Sequence, residues 1–287
     1  MLDKIFPLKI YNYLELIRFS KPIGFMLLLW PCWLALLQIQ TNPFLNIKWF
    51  ILFFIGAFLM RSAGCIINDI IDINIDKNIT RTSKRPLASK KISITNAIFL
   101  LIFLLLISFF ILIQFNFISI ITGLASLPLI ICYPFMKRFI NFPQLILGLI
   151  FNWGVIIVSL QFFNSLKWDY IILYVACIFW TLAYDTIYAY QDREDDVQNN
   201  IKSLAVLLNK KGKIFVKFFY LVFFLLIGYL SFKTNNNYLS LIVLIILIFG
   251  MNIILNKWEP TSRKSSNYYF KFNNFVGLCI FLFLFIF

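Results

Sequence analysis

The sequence predicts an all-α integral membrane protein with nine transmembrane helices, read as two four-helix units plus a ninth helix. Three observations carry that reading. Of 287 residues, 61% are hydrophobic and only 13% charged, with 35 Phe, more apolar surface than a soluble chain of this size can hide. The apolar residues recur in stretches of roughly 17–25, the length that crosses a ~30 Å hydrocarbon core. The basic residues gather in alternate connections, the pattern that orients a polytopic protein.

The elements follow in chain order. The lead-in carries Asp3, Lys4, Lys9, Glu15 and Arg18 and lacks an apolar h-region, so no cleavable signal peptide is expected. Nine spans run near 23–40, 48–67, 93–113, 117–134, 143–162, 169–189, 214–232, 238–255 and 271–287. With the N-terminus in the cytoplasm, twenty-two basic residues fall on that side and three (Lys48, Lys167 and Lys233) on the other, with Arg61 inside the second span. This bias sets the orientation. The net charge of +14 is therefore topological, and no nucleic-acid partner is expected. Cys32, Cys65, Cys132, Cys177 and Cys279 lie in apolar runs without a CxxC pair and read as small buried hydrophobes. Most phenylalanines are expected to face lipid. The chain has no histidine, which excludes His-based triads, haem ligation through His and His-containing zinc sites.

Two polar clusters interrupt the apolar pattern, one after the second span and one after the sixth. The first, NDIIDINIDKNITRTSKRPLASKK at 68–91, holds Asp69, Asp72 and Asp76 beside Lys77, Arg81, Lys84, Arg85, Lys90 and Lys91. If the helix continues past the membrane surface, Asn68, Asp72 and Asp76 share one face at i, i+4 and i+8, with Asp69 turned about 100° away. The second, YDTIYAYQDREDD at 184–196, repeats the spacing with Asp192 and Asp196, and Asp185 lies seven residues earlier. Carboxylates converging on one spot repel unless a cation holds them. Magnesium, a hard ion that prefers oxygen ligands and shares them with substrate phosphates, suits such a set. Arg81, Lys84 and Arg85 suit diphosphate oxygens. The blander reading, a solvated loop in which acids and bases balance, explains one cluster better than two on the same face. Asp185 and Arg61 lie deeper in apolar runs, where ionisable groups are costly and usually functional. Arg61 is expected to face the bundle interior and meet an acidic or carboxylate partner.

These residues resemble a family. NDIIDINIDKNITRTSKRPLAS with the preceding LMRSAGCII, YDTIYAYQDREDDVQNNIKS, RFSKPIGFMLLLWPCWLAL and YPFMKRFINFPQLILGLIFNWG are similar to segments of the UbiA prenyltransferases, and the likeness runs through nearly the whole chain as a single domain, 1–287. The resemblance implies a nine-helix bundle around a central cavity, with a cytoplasmic cap and a lateral opening to lipid, in a bacterial inner membrane. It implies transfer of a polyprenyl chain from a polyprenyl diphosphate to an aromatic acceptor, using Mg2+. Asn68, Asp72, Asp192 and Asp196 resemble the metal ligands. Asp69, Asp76 and Asp185 are similar to supporting acids, and Arg81 and Arg85 to diphosphate-binding positions. Lys137 and Arg138 resemble a basic pair near the acceptor, with Arg138 facing its carboxylate. The YPFMKR segment favours 4-hydroxybenzoate; a naphthoate or haem acceptor stays open. So does a secondary transporter, although the acids gather at span ends rather than at matched helix breaks near the midplane.

Overall fold

The computed structural model describes residues 7–39 and 47–287, apart from the side chains of Lys137 and Asn235. The helices are α1 Leu8–Leu16, α2 Ile23–Leu37, α3 Ile47–Ile71, α4 Ile73–Asp76, α5 Ile94–Leu112, α6 Phe117–Phe139, α7 Pro143–Phe151, α8 Trp153–Phe163, α9 Trp168–Ala189, α10 Arg193–Gln198, α11 Leu204–Leu208, α12 Gly212–Asn235, α13 Tyr238–Asn256 and α14 Arg263–Ile286. No strand occurs among the described residues.

Each of the nine expected spans coincides with helix, but eight are long and apolar enough to cross a membrane among the described residues. The exception is the first. Its helix, α2, has 15 residues with Pro31 inside and spans about 22 Å at 1.5 Å per residue. Compensation comes from burial. Leu27, Leu29, Trp30, Cys32, Leu34, Ala35 and Leu36 are all buried between α3, α8, α9 and α14. The fifth span also departs from expectation. It is two helices, α7 and α8, separated at Asn152, whose Nδ2 donates to the Gly148 carbonyl at 2.6 Å and to Thr181 Oγ1 at 3.0 Å. An amide side chain competing for backbone partners breaks the ladder there.

The core sits along α2, α9, α12 and α14. α9 is its spine, with Leu173, Ala176, Cys177, Trp180 and Ala183 fully buried. A polar knot fastens three helices in this apolar setting. Asn273 Oδ1 of α14 accepts from Trp180 Nε1 of α9 at 2.8 Å and from the Tyr220 hydroxyl of α12 at 2.6 Å. By contrast α5 buries only Ala97 and Leu104, as a lipid-facing helix should. Fewer than half of the phenylalanines are exposed; many of the others pack edge to face, as in the pairs Phe25–Phe58 and Phe53–Phe115. Cys132 is exposed and Cys279 half-buried, so the burial expected of all five cysteines holds for Cys32, Cys65 and Cys177.

Candidate active site

Both acidic clusters form at the same kind of helix end. The long helix α3 stops at Ile71, Asp72 takes φ −94° and ψ 7°, and the short α4 follows. Past the end of α9, Asp192 takes φ −110° and ψ 5°, and the short α10 follows. At the first break the i to i−4 bonding persists, Asp72 N–H donating to the Asn68 carbonyl at 2.9 Å and Asp76 N–H to that of Asp72 at 2.8 Å; at the second it tightens to i−3, Asp192 N–H donating to the Ala189 carbonyl at 3.1 Å, before Asp196 N–H resumes i−4 bonding to Asp192 at 2.8 Å. The helical spacing expected of these residues therefore survives a kink absent from the expectation. The local geometry repeats between the two clusters.

Arginines hold the carboxylates together. Arg81, in the loop after α4, donates from Nε to Asp192 Oδ1 at 2.8 Å and from Nη2 to Oδ2 at 2.5 Å. Its Nη1 reaches the Tyr188 hydroxyl at 2.8 Å, and its guanidinium lies over the Tyr188 ring at 5.1 Å. This fork joins the first polar loop to the end of α9 across 111 residues of chain. A second network braces the first cluster. Arg18 Nη2 contacts both Asp69 oxygens at 2.7 Å, while Arg85 Nη1 donates to Asp69 Oδ1 at 3.1 Å and to Asp76 Oδ2 at 2.7 Å. In this state Asp69, Asp76 and Arg85 satisfy one another.

Asn68, Asp72, Asp185, Asp192 and Asp196 all line one cavity of about 1500 Å3, together with Arg61, Arg81 and Arg85. Its polar end lies at the ends of α3 and α9. From there it continues past Gly56 to Leu52 and Phe53 near the start of α3. Asp72 and Leu52 are twenty residues apart on nearly continuous helix, a length of about 30 Å. Leu105, Phe109 and Leu112 of α5 and Leu124 and Leu127 of α6 complete an apolar wall, and Phe109 and Leu124 are themselves exposed.

Asp72 is 0% exposed, Asp192 9% and Asp196 8%. Among the described residues no group of three or more His, Cys, Asp or Glu side chains closes on one point as a ready-made metal cage. The four oxygen-bearing side chains at the polar end fit a hard ion that completes its shell with substrate phosphates, as Mg2+ does. They do not suit a softer metal.

Two placements bear on the sequence reading of the basic residues. Arg138 is not among the cavity-lining residues. It is 42% exposed, 3.7 Å from Asp72 Oδ1, and lies over the Phe135 ring. The Lys137 side chain lies outside the described part of the chain. Arg61 lines the cavity as expected, and Asp185 is the acidic group whose charge it feels there, although the two make no direct ion pair. Its Nε is buried without a hydrogen-bond partner, and its guanidinium lies 5.4 Å from the centre of the Phe151 ring. Two basic residues of the lead-in, where basic charge is expected to serve topology, belong here. Arg18 braces Asp69, and Lys21 lines the cavity, where burial and the like charges of Arg18 and Arg81 lower its pKa. The segment RFSKP that contains them was the available signal.

Residues 28–275 match the UbiA prenyltransferase family. The protein is an intramembrane prenyltransferase and belongs to that family. It is 39% identical over 277 residues to the 4-hydroxybenzoate octaprenyltransferase of Psychromonas ingrahamii, covering 96% of this chain and 95% of that one. To the 4-hydroxybenzoate octaprenyltransferase of Blochmanniella pennsylvanica it is 38% identical, with 96% and 94% covered. Solved structures share the fold: a UbiA homologue from Aeropyrum pernix at TM-score 0.70 and 21% identity, covering 90% and 97% of the two chains, and one from Archaeoglobus fulgidus bound to GPP and Mg2+ at TM-score 0.68 and 16% identity, covering 96% and 100%. Family membership displaces the transporter reading.

Proposed function

We propose that the protein transfers a polyprenyl group from a polyprenyl diphosphate to the ring carbon ortho to the hydroxyl of 4-hydroxybenzoate, a step of ubiquinone biosynthesis. The observation that carries the reading is the joining of two aspartate-bearing helix ends, through Arg81 and Asp192, at the polar end of a long and otherwise apolar cavity. Such a space suits a substrate with a doubly phosphorylated head and a hydrocarbon tail. The tail reaches it from lipid and never enters water.

Asn68, Asp72, Asp192 and Asp196 would hold Mg2+ together with the diphosphate oxygens. Bound there, the ion neutralises charge on the departing diphosphate. Arg81 exchanges its hold on Asp192 for a diphosphate oxygen, and Lys21 adds a second cation. Arg85, Asp69 and Asp76 keep the loop that carries Arg81 in position. As negative charge grows on the leaving group these fixed cations stabilise it, and the allylic C–O bond ionises. The Tyr188 face, once Arg81 has turned to the diphosphate, shelters the allylic cation, and the apolar wall keeps water from it. The acceptor's ring carbon attacks and the ring proton leaves, giving the prenylated hydroxybenzoate, diphosphate and a proton.

Arg61 is better placed than Arg138 to take the acceptor's carboxylate. It lies inside the cavity with an unused donor, whereas Arg138 stands outside the lining at an exposed position. Asp185 and Tyr133 share the cavity wall with Arg61. The polar end would face the cytoplasm of a bacterial inner membrane, as the basic bias orients it. Mass spectrometry of products from membranes given 4-hydroxybenzoate, a hydroxynaphthoate and a series of prenyl diphosphates tests the reading. A prenylated 4-hydroxybenzoate formed only with magnesium supports it, and product from the naphthoate alone overturns the acceptor.

A further inference from the structure

We propose that Gly24 is a specificity-determining position: its missing side chain opens the slot in which the Arg61 guanidinium lies, and so sets how firmly the enzyme grips a carboxylated aromatic acceptor. The inference deepens the acceptor reading above and rests on it.

The slot has two walls. On one side, a Cβ built on Gly24 would stand 2.7 Å from Arg61 Nε, 3.1 Å from Nη2 and 3.3 Å from Cζ. On the other side lies the Phe151 ring, 5.4 Å from the guanidinium carbon. The guanidinium is thus pressed between the first turn of α2 and the end of α7. No direct bond fixes it between these walls: Asp185 attracts it through the cavity without a direct ion pair, and Nε makes no hydrogen bond. A group held by shape moves when either wall moves.

Conformation does not call for glycine here. Position 24 is helical, and no described glycine has a positive φ. Glycine in a helix is less favourable than alanine by about 1 kcal/mol, so space is the physical reason for it at this site. An added methyl would drive the guanidinium toward Phe151 by roughly half an ångström to one ångström, the shortfall from an ordinary carbon contact.

The test measures KM for each substrate in membranes carrying Gly24→Ala, with Gly250→Ala as the control, because a Cβ at Gly250 meets nothing within 4 Å. Gly24→Ala should raise KM for 4-hydroxybenzoate on the order of tenfold, the weight of one hydrogen bond to a charged group, while KM for the polyprenyl diphosphate stays within about twofold and Gly250→Ala changes neither. In an Arg61→Gln background, Gly24→Ala should add nothing, since interacting positions are not additive. If Gly24→Ala fails to insert, Phe151→Leu, which removes the opposite wall, should give the same acceptor-selective rise. The proposal is overturned by an unchanged acceptor KM, by an equal rise for both substrates, or by an undiminished effect in the Arg61→Gln background. An unchanged acceptor KM in Arg61→Gln alone would instead remove the acceptor role of Arg61, a separate failure that takes the proposal with it.

Discussion

Replacing Arg18 tests whether the lead-in helix α1 is part of the site or only a topological anchor. Arg18→Ala removes both 2.7 Å contacts to Asp69 and leaves Arg85 at 3.1 Å as the remaining cation. The Asp69 side chain is 1% exposed and that of Arg18 16%, so the pair is largely shielded from water. A net hydrogen bond to a charged group is worth about 1.5–3 kcal/mol. Breaking a buried pair outright costs about 3–5 kcal/mol. With Arg85 still in place the expected loss is about 2–3 kcal/mol. Backbone geometry separates this from a generic effect. Arg18 has φ 59°, a left-handed conformation that costs a non-glycine residue about 1–2 kcal/mol. Arg18→Gly loses the same ion pair but relieves that strain, so it should be about 1 kcal/mol more stable than Arg18→Ala. Thermal unfolding of detergent-solubilised protein, followed by tryptophan fluorescence, reads both differences. The reasoning is refuted if both variants match the wild type, or if glycine is no better than alanine.

Other perturbations have equally definite outcomes. Asn273→Leu strands the Trp180 indole N–H and the Tyr220 hydroxyl in a dry interior, and each unpaired buried group costs about 1–3 kcal/mol; the midpoint of thermal unfolding should fall well below that of an exposed control such as Lys257→Ala. Lys21 is still exposed at the cavity mouth, and its pKa is lowered by partial burial there and by its cationic neighbours Arg18 and Arg81. Its charge therefore disfavours the folded state at neutral pH, a penalty that eases as pH rises through the folded pKa. Lys21→Met should raise thermal stability while increasing KM for the polyprenyl diphosphate; a loss of stability would contradict the sign. Arg61→Gln should weaken use of 4-hydroxybenzoate more than Arg138→Ala does, and titrating acceptor at saturating diphosphate distinguishes them.

Much of this architecture was legible because membrane spans carry a strong local signal. Apolar runs bounded by charge mark α3, α5 and α9 closely. The i, i+4 acids of 68–76 and 192–196 keep their spacing beside the kinks, since Asp76 N–H still bonds the Asp72 carbonyl and Asp196 N–H that of Asp192. What escaped depends on tertiary partners. A span's length in sequence does not reveal that α2 is short and encased by neighbours rather than by lipid. The break at Asn152 turns on Thr181, 29 residues away. Arg18 looks like any basic residue of a cytoplasmic lead-in until Asp69 is placed beside it, 51 residues later. Arg138 illustrates the same limit: the depth of Arg61 in an apolar run places it inside, but spacing cannot say whether Arg138 enters the cavity, because that depends on how α6 turns within the bundle.

A double-mutant cycle in Asp72 and Asp192 bears most directly on the idea that the two acidic ends serve one diphosphate. Magnesium-dependent release of diphosphate would be followed in membranes carrying Asp72→Ala, Asp192→Ala and the pair. Each single variant is expected to lose nearly all turnover while still inserting, and the double variant to be no worse than either, because one site cannot be lost twice. Near-normal turnover in either single variant, or losses that multiply in the double, would contradict a shared site.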